Sequence, residues 1–436
     1  MATLSLTEWL DLLESRHPKT IDLGLERCRE VWQRMGSPRP AAKIFTVAGT
    51  NGKGSTVAYL CGMLDALGHS CGSYTTPHLL RYNERVQIQG LCASDEQLLA
   101  AFETVEAARG QVSLSYFEFG TLAAISILCR AGLDFAVMEV GLGGRLDAVN
   151  ILDTDCALIT AIGLDHQEYL GEDRESIGRE KAGIIRRNTP LVCGEAHPPS
   201  SIVTAATEVQ APLWRLGREF EARCEGSSVR FRKGQVDWLL PVPRMDGEHQ
   251  VNNMATALAA LLELLPEAKD SKALLVRGLE NVTVPGRLQQ ISTQPLVLID
   301  VGHNPMAAAA VAKVVQNAME GRPGGRCLCV LAMLADKDAQ AVAHILDPLV
   351  SDWYCAGLPG ERGQTGNELA GRIACGSACA HIHICPELDQ ALDQALEASR
   401  PADCILVFGS FVAAGAALDR WSGLSFISPQ ETSEYC

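Results

Sequence analysis

Short apolar runs recur along the chain and alternate with longer stretches in which apolar residues return at helical spacing. The runs Ile44–Ala48, Ser70–Tyr74, Phe135–Val140, Ala157–Ile162 and Leu191–Cys193 read as strands in the first part. Leu296–Val301, Cys327–Ala332, His381–Cys385 and Cys404–Phe408 read as strands in the second. Ser55–Leu67, Glu118–Ala131 and Asn253–Leu264 carry helical patterns between them. Continuous apolar strands separated by helices are what a parallel sheet covered on both faces requires, so the class is α/β. Residues 198–243 break the rhythm. Pro198-Pro199, Gly226-Ser227-Ser228 and the alternation from Val229 to Pro243 predict an antiparallel excursion there. A fresh strand–helix rhythm begins at Leu296, and Pro285-Gly286 is a natural break. The expected domains are 1–285 and 286–436.

The 436 residues hold 52 acidic against 37 basic side chains, a formal balance of −15. No Lys/Arg run interrupts that balance, which argues against a nucleic-acid partner. It leaves room for anionic small molecules held by a few local cations. The apolar stretches near 121–129 and 255–265 fall short of the ~20 residues that span a bilayer. The N-terminal segment is acidic and amphipathic, unlike a targeting sequence, so a cytoplasmic, non-membrane protein is expected. The 16 cysteines are scattered among apolar neighbours without a CxxC pair, and neither zinc nor a disulfide framework is expected.

The densest chemistry follows Ile44–Ala48, where the chain reads Gly49-Thr50-Asn51-Gly52-Lys53-Gly54-Ser55-Thr56 and then turns helical. Such a loop can point backbone N–H groups at phosphate oxygens, with the helix N-terminus adding positive potential. It departs from a strict GxxxxGK[ST] loop, having Val47 in place of the first glycine and Gly54 between Lys53 and Ser55. An ordinary glycine-rich turn is the alternative. Thr75-Thr76-Pro77-His78 and Asp165-His166 each follow a predicted strand and Glu139 lies at the end of one, where α/β sheets bind ligands. Glu139 would suit magnesium, or an ion pair with Arg145. Lys181 could serve the site or simply pair with Glu180 or Glu175. Asp300, ending a strand of the second domain, could grip a ribose hydroxyl, with Arg287 nearby as a cation.

Taken in order, HPKTIDLGLERC (17–28), VAGTNGKGST (47–56), TTPHLLRYNERV (75–86), SYFEFGTLAA (115–124), EVGLGGRLDAVN (139–150) and LDHQEYLG with IGREKAGIIR (164–186) carry a resemblance. So do HQVNNMATALAAL (249–261), PGR (285–287), DVGHNP (300–305) and FGSFVAAG (408–415). Together they resemble the bacterial bifunctional dihydrofolate synthase/folylpolyglutamate synthase family of the Mur ligase superfamily, over nearly the whole chain. Three departures stand out: TPHL for the usual SPHL, DVGHNP for DGAHNP, and Met254 where alanine is usual.

The resemblance implies a P-loop-type parallel-sheet ATPase domain followed by a smaller Rossmann-like α/β domain. It implies an ATP- and Mg²⁺-dependent ligase that adds L-glutamate to dihydropteroate and to reduced folates through an acyl phosphate. A monofunctional folylpolyglutamate synthase is the alternative. Carried over, Thr50, Asn51, Gly52, Lys53, Gly54 and Ser55 would cradle ATP phosphates, with Asn253, Arg287 and Asp300 on the nucleoside side. Thr76, Glu139 and His166 would hold the metal. Lys181 would be carbamylated, and His303 would serve the glutamate side, making Lys53, Lys181 and His303 the catalytic set. Asp22, Leu23, Ser115, Tyr116, Phe117, Glu118, Leu146, Asp147 and Ala148 would form the pterin pocket. A monomer is expected.

Overall fold

The computed structural model describes residues 4–16, 22–374 and 381–422. The stretch 17–21, which opens the first motif, lies outside them, as do Cys375, Cys379 and Cys436. The chain divides into two compact units. One comprises residues 1–162, 170–244 and 250–282, the other residues 163–169, 245–249 and 283 onward.

The first unit is built on an eight-stranded sheet: β1 (Ala41–Ala48), β2 (Cys71–Tyr74), β3 (Val86–Ile88), β4 (Leu91–Cys92), β5 (Leu133–Glu139), β6 (Cys156–Ile159), β7 (Leu191–Cys193) and β8 (Leu213–Arg215). Their spatial order is β4-β3-β2-β5-β1-β6-β7-β8. All neighbours from β2 to β8 run parallel, and β3 and β4 fold back as an antiparallel edge. β1 is buried from Ile44 to Ala48, as a strand covered on both faces requires. In the β1–β5 register Val47 faces Glu139, which sets that carboxylate beside the strand end from which the glycine-rich loop departs.

The expected antiparallel excursion is narrower than the sequence suggests. Ser200–Glu208 is a helix and β8 joins the main sheet in parallel. Only β9 (Phe220–Glu225), β10 (Ser228–Lys233) and β11 (Val236–Pro241) form a separate antiparallel meander. Their alternation Val229, Phe231 in and Arg230, Arg232 out is the period-two signature of a sheet with one packed face.

The second unit holds β12 (Gln289–Thr293), β13 (Leu296–Ile299), β14 (Cys327–Leu331), β15 (Val350–Ala356), β16 (His381–Cys385) and β17 (Cys404–Phe408), ordered β12-β13-β17-β14-β15-β16. All pairs are parallel except β12 with β13. The sequence reading missed β15, because Ser351 and Asp352 interrupt its apolar run. The cysteines Cys327, Cys329, Cys355 and Cys404 are free and buried among these strands.

Candidate active site

At the carboxyl end of β1 the chain enters the glycine-rich loop and then the helix Lys53–Ala66. Gly52 caps that helix at φ +87°, a left-handed conformation that favours glycine. A Cβ there would run into the amide of Asn253, which is buried and donates to Gln250 Oε1 at 3.1 Å. Asn253, just over two hundred residues away in the chain, is thus seated directly on the loop. The loop's backbone is pinned from β6: Thr50 N donates to Ala161 O at 2.8 Å, and Thr160 Oγ1 to Asn51 O at 2.6 Å.

Two ammonium groups reach the same loop carbonyl. Lys53 Nζ donates to Gly49 O at 3.2 Å and Thr50 O at 3.4 Å, while buried Lys181 Nζ donates to Gly49 O at 2.9 Å. The alternative pairings for Lys181 are not realised. Glu180 pairs with Arg145 at 2.9 Å, and Glu175 accepts from the N–H groups of Ser200 and Ser201. Arg145, so engaged, is not the partner of Glu139 either. Glu139 instead accepts from Thr76 N at 3.3 Å, which brings two of the three expected metal ligands together. Ser55 Oγ is buried without a hydrogen-bond partner. A buried hydroxyl left unsatisfied at a helix N-terminus fits a phosphate or its counter-ion. The hydroxyl and carboxylate oxygens of Thr76 and Glu139 are ligands that Mg²⁺ and Mn²⁺ favour, and the His166 imidazole is a softer donor than these.

A second cluster gathers around the start of the helix Tyr116–Ala131 and the turns that follow β5. Ser115 caps the helix Tyr116–Ala131 reciprocally with Glu118: Ser115 N donates to Glu118 Oε2 at 2.8 Å and Glu118 N to Ser115 Oγ at 3.3 Å. Phe117 lies close against Gly141, where a Cβ would sit 2.6 Å from Phe117 Cζ. Tyr116 meets Tyr82 edge-on, with the buried Arg85 guanidinium about equally close to both rings. Asp147 is buried and accepts from Leu142 N at 2.9 Å and Val149 N at 3.0 Å. Burial pushes its pKa up to about 6, although those N–H groups and Lys53 pull the other way. Leu146 and Leu23 are half-buried, and Ala148 is buried beside Asp147. Asp22 is held by Arg27, which also grips Glu118. Arg27 went unremarked in the sequence, although it sits in the first motif.

In the second unit Asp300 follows β13. Its Oδ1 accepts from Gly302 N at 2.7 Å and its Oδ2 from Leu288 N at 2.9 Å. Burial raises its pKa, opposed by the Arg287 charge and by those N–H groups. Arg287 lies over the Phe411 ring at 5.2 Å. Asp165 is a hub: Lys337 Nζ donates to Oδ1 at 2.7 Å, Asn304 Nδ2 to Oδ2 at 3.1 Å, and His303 Nε2 lies 3.4 Å from Oδ2. Burial alone would raise the Asp165 pKa. The His303 bond and charge, with Lys337, outweigh it and hold the carboxyl well below its usual range. Lys337 Nζ also lies 3.2 Å from His166 Nε2, and His166 adopts φ +51°. Lys337 is buried and was not anticipated. Its signal was a lysine just beyond the apolar strand β14, at a ligand-binding strand end.

The comparisons with known proteins place the fold in a class first. Family models of the Mur ligase middle domain match residues 47–261, and of the Mur ligase glutamate ligase domain residues 286–411. The chain is 43% identical to the dihydrofolate synthase/folylpolyglutamate synthase of Escherichia coli K12, over 94% of each chain. It is 38% identical to that of Haemophilus influenzae, over 94% of this chain and 96% of the other. Escherichia coli FolC in complex with DHPP and ADP superposes with a TM-score of 0.89, 41% identity and coverage of 97% and 99% of the two chains. The bifunctional enzyme of Yersinia pestis with AMPPNP and Mn ion gives 0.87, 41%, 97% and 99%. The chain belongs to the dihydrofolate synthase/folylpolyglutamate synthase family of Mur ligases.

Proposed function

We propose that the chain is the bifunctional enzyme: an ATP-dependent ligase that joins L-glutamate to dihydropteroate, forming dihydrofolate, and extends reduced folates by further glutamates. The observation that carries this reading is the loop at Gly49–Ser55, where Lys53 and Lys181 meet one carbonyl and Ser55 keeps a buried unsatisfied hydroxyl. The similar structures hold ADP or AMPPNP, Mn, DHPP and, in one, L-glutamate.

A carboxylate resists attack because it is already anionic and would have to expel oxide. Transfer of the γ-phosphoryl group to a carboxylate oxygen of the acceptor, with ADP departing, supplies a leaving group. The glutamate nitrogen then attacks the carbonyl carbon, phosphate departs, and the amine gives up a proton. This chain's part is to place the reactants and to meet charge as it develops. Thr50–Ser55 would cradle the phosphates, with Lys53 swinging from its own loop carbonyls to the terminal oxygens. Asn253, Arg287 and Asp300 would take the nucleoside. Magnesium, held by Thr76, Glu139 and His166, would neutralise phosphate charge. Lys181 would join that site once carbamylated. Asp22, Leu23, the Ser115–Glu118 turn and Leu146–Ala148 would seat the pterin. His303, tied to Asp165, would serve the incoming glutamate. On this reading residues 1–285 bind ATP and pterin, and residues 286–436 form the glutamate ligase domain. We take the enzyme to work as a cytoplasmic monomer; among the described residues no helix is long and apolar enough to cross a membrane.

The test is Mg²⁺- and ATP-dependent phosphate release with L-glutamate and either dihydropteroate or tetrahydrofolate, with products weighed. Release with both, each product one glutamyl residue heavier, is expected. Release with tetrahydrofolate alone would leave the monofunctional alternative, and silence with both would refute the reading.

A further inference from the structure

Two stretches far apart in sequence supply most of the expected pterin pocket, the segment after Asp22 and the helix start at Ser115–Glu118. One side chain ties them together. Arg27 Nη1 lies 2.7 Å from Asp22 Oδ2, and Nη2 donates to the Asp22 carbonyl at 3.2 Å. The same guanidinium straddles Glu118, with Nη2 to Oε1 at 3.0 Å and Nε to Oε2 at 3.4 Å. Glu118 is almost wholly buried, and its Oε2 also accepts from Ser115 N. The guanidinium therefore fixes the carboxylate that closes the helix cap, and through it the backbone of Ser115.

The neighbouring residue extends the connection. Cys28 is fully buried, and its thiol feels the negative charge of both Glu118 and Asp147. The helix Glu26–Arg34 thus presents Arg27 to two of the carboxylates of the expected pocket, Asp22 and Glu118. A planar fork can hold two oxygens of one carboxylate while a third nitrogen reaches another group. A lysine ammonium, a single point, cannot keep both arms in register.

We propose that Arg27 is a positioning residue for the pterin-bearing acceptor, acting through Asp22 and Glu118 to hold the two halves of its pocket in register. It rests on the functional reading above. Arg27 touches no reacting atom, so its loss should be felt when the acceptor is bound and little once the acceptor saturates the enzyme. The ATP loop, which it does not contact, should be unaffected.

The experiment measures KM and kcat for dihydropteroate, and KM for ATP, in wild type, Arg27→Met, Arg27→Lys and Asp22→Asn, each checked by thermal unfolding. Arg27→Met should raise KM for dihydropteroate at least tenfold, with kcat and KM for ATP within about twofold. Arg27→Lys should recover part of the loss, and Asp22→Asn, which removes the charge of the more exposed arm but leaves the Asp22 carbonyl as acceptor, should raise KM a few-fold. A general structural role would instead lower the unfolding temperature and leave KM for the acceptor unmoved at temperatures where the variant is folded. That outcome overturns the proposal. Should Arg27→Met fail to fold, an unchanged KM in both Arg27→Lys and Asp22→Asn would overturn it equally. A wild type silent with both acceptors refutes the functional reading and takes this inference with it. An active wild type with indifferent variants refutes the inference alone.

Discussion

Gly52→Ala concentrates a measurable penalty at one atom. The residue caps the helix Lys53–Ala66 at φ +87°, ψ −3°, where an L side chain costs about 1–2 kcal/mol. The added Cβ would also lie 2.9 Å from Asn253 Cγ and 3.0 Å from its Nδ2. Asn253 is buried and held by Gln250, so giving way breaks a hydrogen bond worth about 1 kcal/mol net. The sum is about 2–3 kcal/mol, carried by the loop whose N–H groups are expected to address phosphate. If the loop must regain its native shape to bind ATP, KM for ATP should rise roughly 30- to 150-fold. The assay is phosphate release against ATP concentration, beside denaturant unfolding of the free protein. The steric part is separable. Asn253→Ala in the Gly52→Ala background removes the collision but not the left-handed strain. The double variant should therefore be more stable than the sum of the singles by about 1 kcal/mol. A Gly52→Ala protein with wild-type KM for ATP and a wild-type unfolding midpoint would refute the reasoning.

Three further outcomes are expected. Asp147, with a folded pKa of about 6 against 3.8 in the open chain, binds its proton more tightly when folded. Its ionisation therefore costs stability as pH rises from about 4 to about 6; Asp147→Asn should flatten that dependence in denaturant titrations, and an unchanged profile would contradict the burial argument. Lys181→Ala should collapse turnover at least a hundredfold while ATP binding, followed by calorimetry, largely persists; undiminished turnover would remove Lys181 from the machinery. Lys337→Met leaves Asp165 buried without its ammonium partner and should destabilise the folded protein by about 3 kcal/mol. Because Asp165 is held well below its usual range, the stability it contributes is present above pH 4 and fades as pH falls. Lys337→Met should weaken that acid sensitivity, and an unaltered urea midpoint would show the pair to be inconsequential.

Strand positions were legible wherever the strand is buried on both faces, because burial there demands consecutive apolar residues. β1, β7, β14 and β17 were found for that reason. β15 escaped because Ser351 and Asp352 sit in its half-exposed start, where solvent tolerates polar side chains. The antiparallel excursion is narrower than its sequence pattern because a proline pair stands alike before a helix and before a meander.

The sequence by itself determined the class, the alternation of strand and helix, and the glycine-rich loop with Lys53 and Ser55. These rest on local chemistry, namely the period of the apolar residues and the residue types a tight turn allows. Tertiary structure alone decided the partnerships. Asn253 rests on Gly52, Lys181 reaches Gly49, Arg27 bridges Asp22 and Glu118, and Lys337 neutralises Asp165. Each joins residues remote in the chain, and no local pattern encodes which buried charge will meet which. That choice follows from strand order and helix packing, which fix the directions in which side chains meet, and from the cost of leaving a buried charge alone.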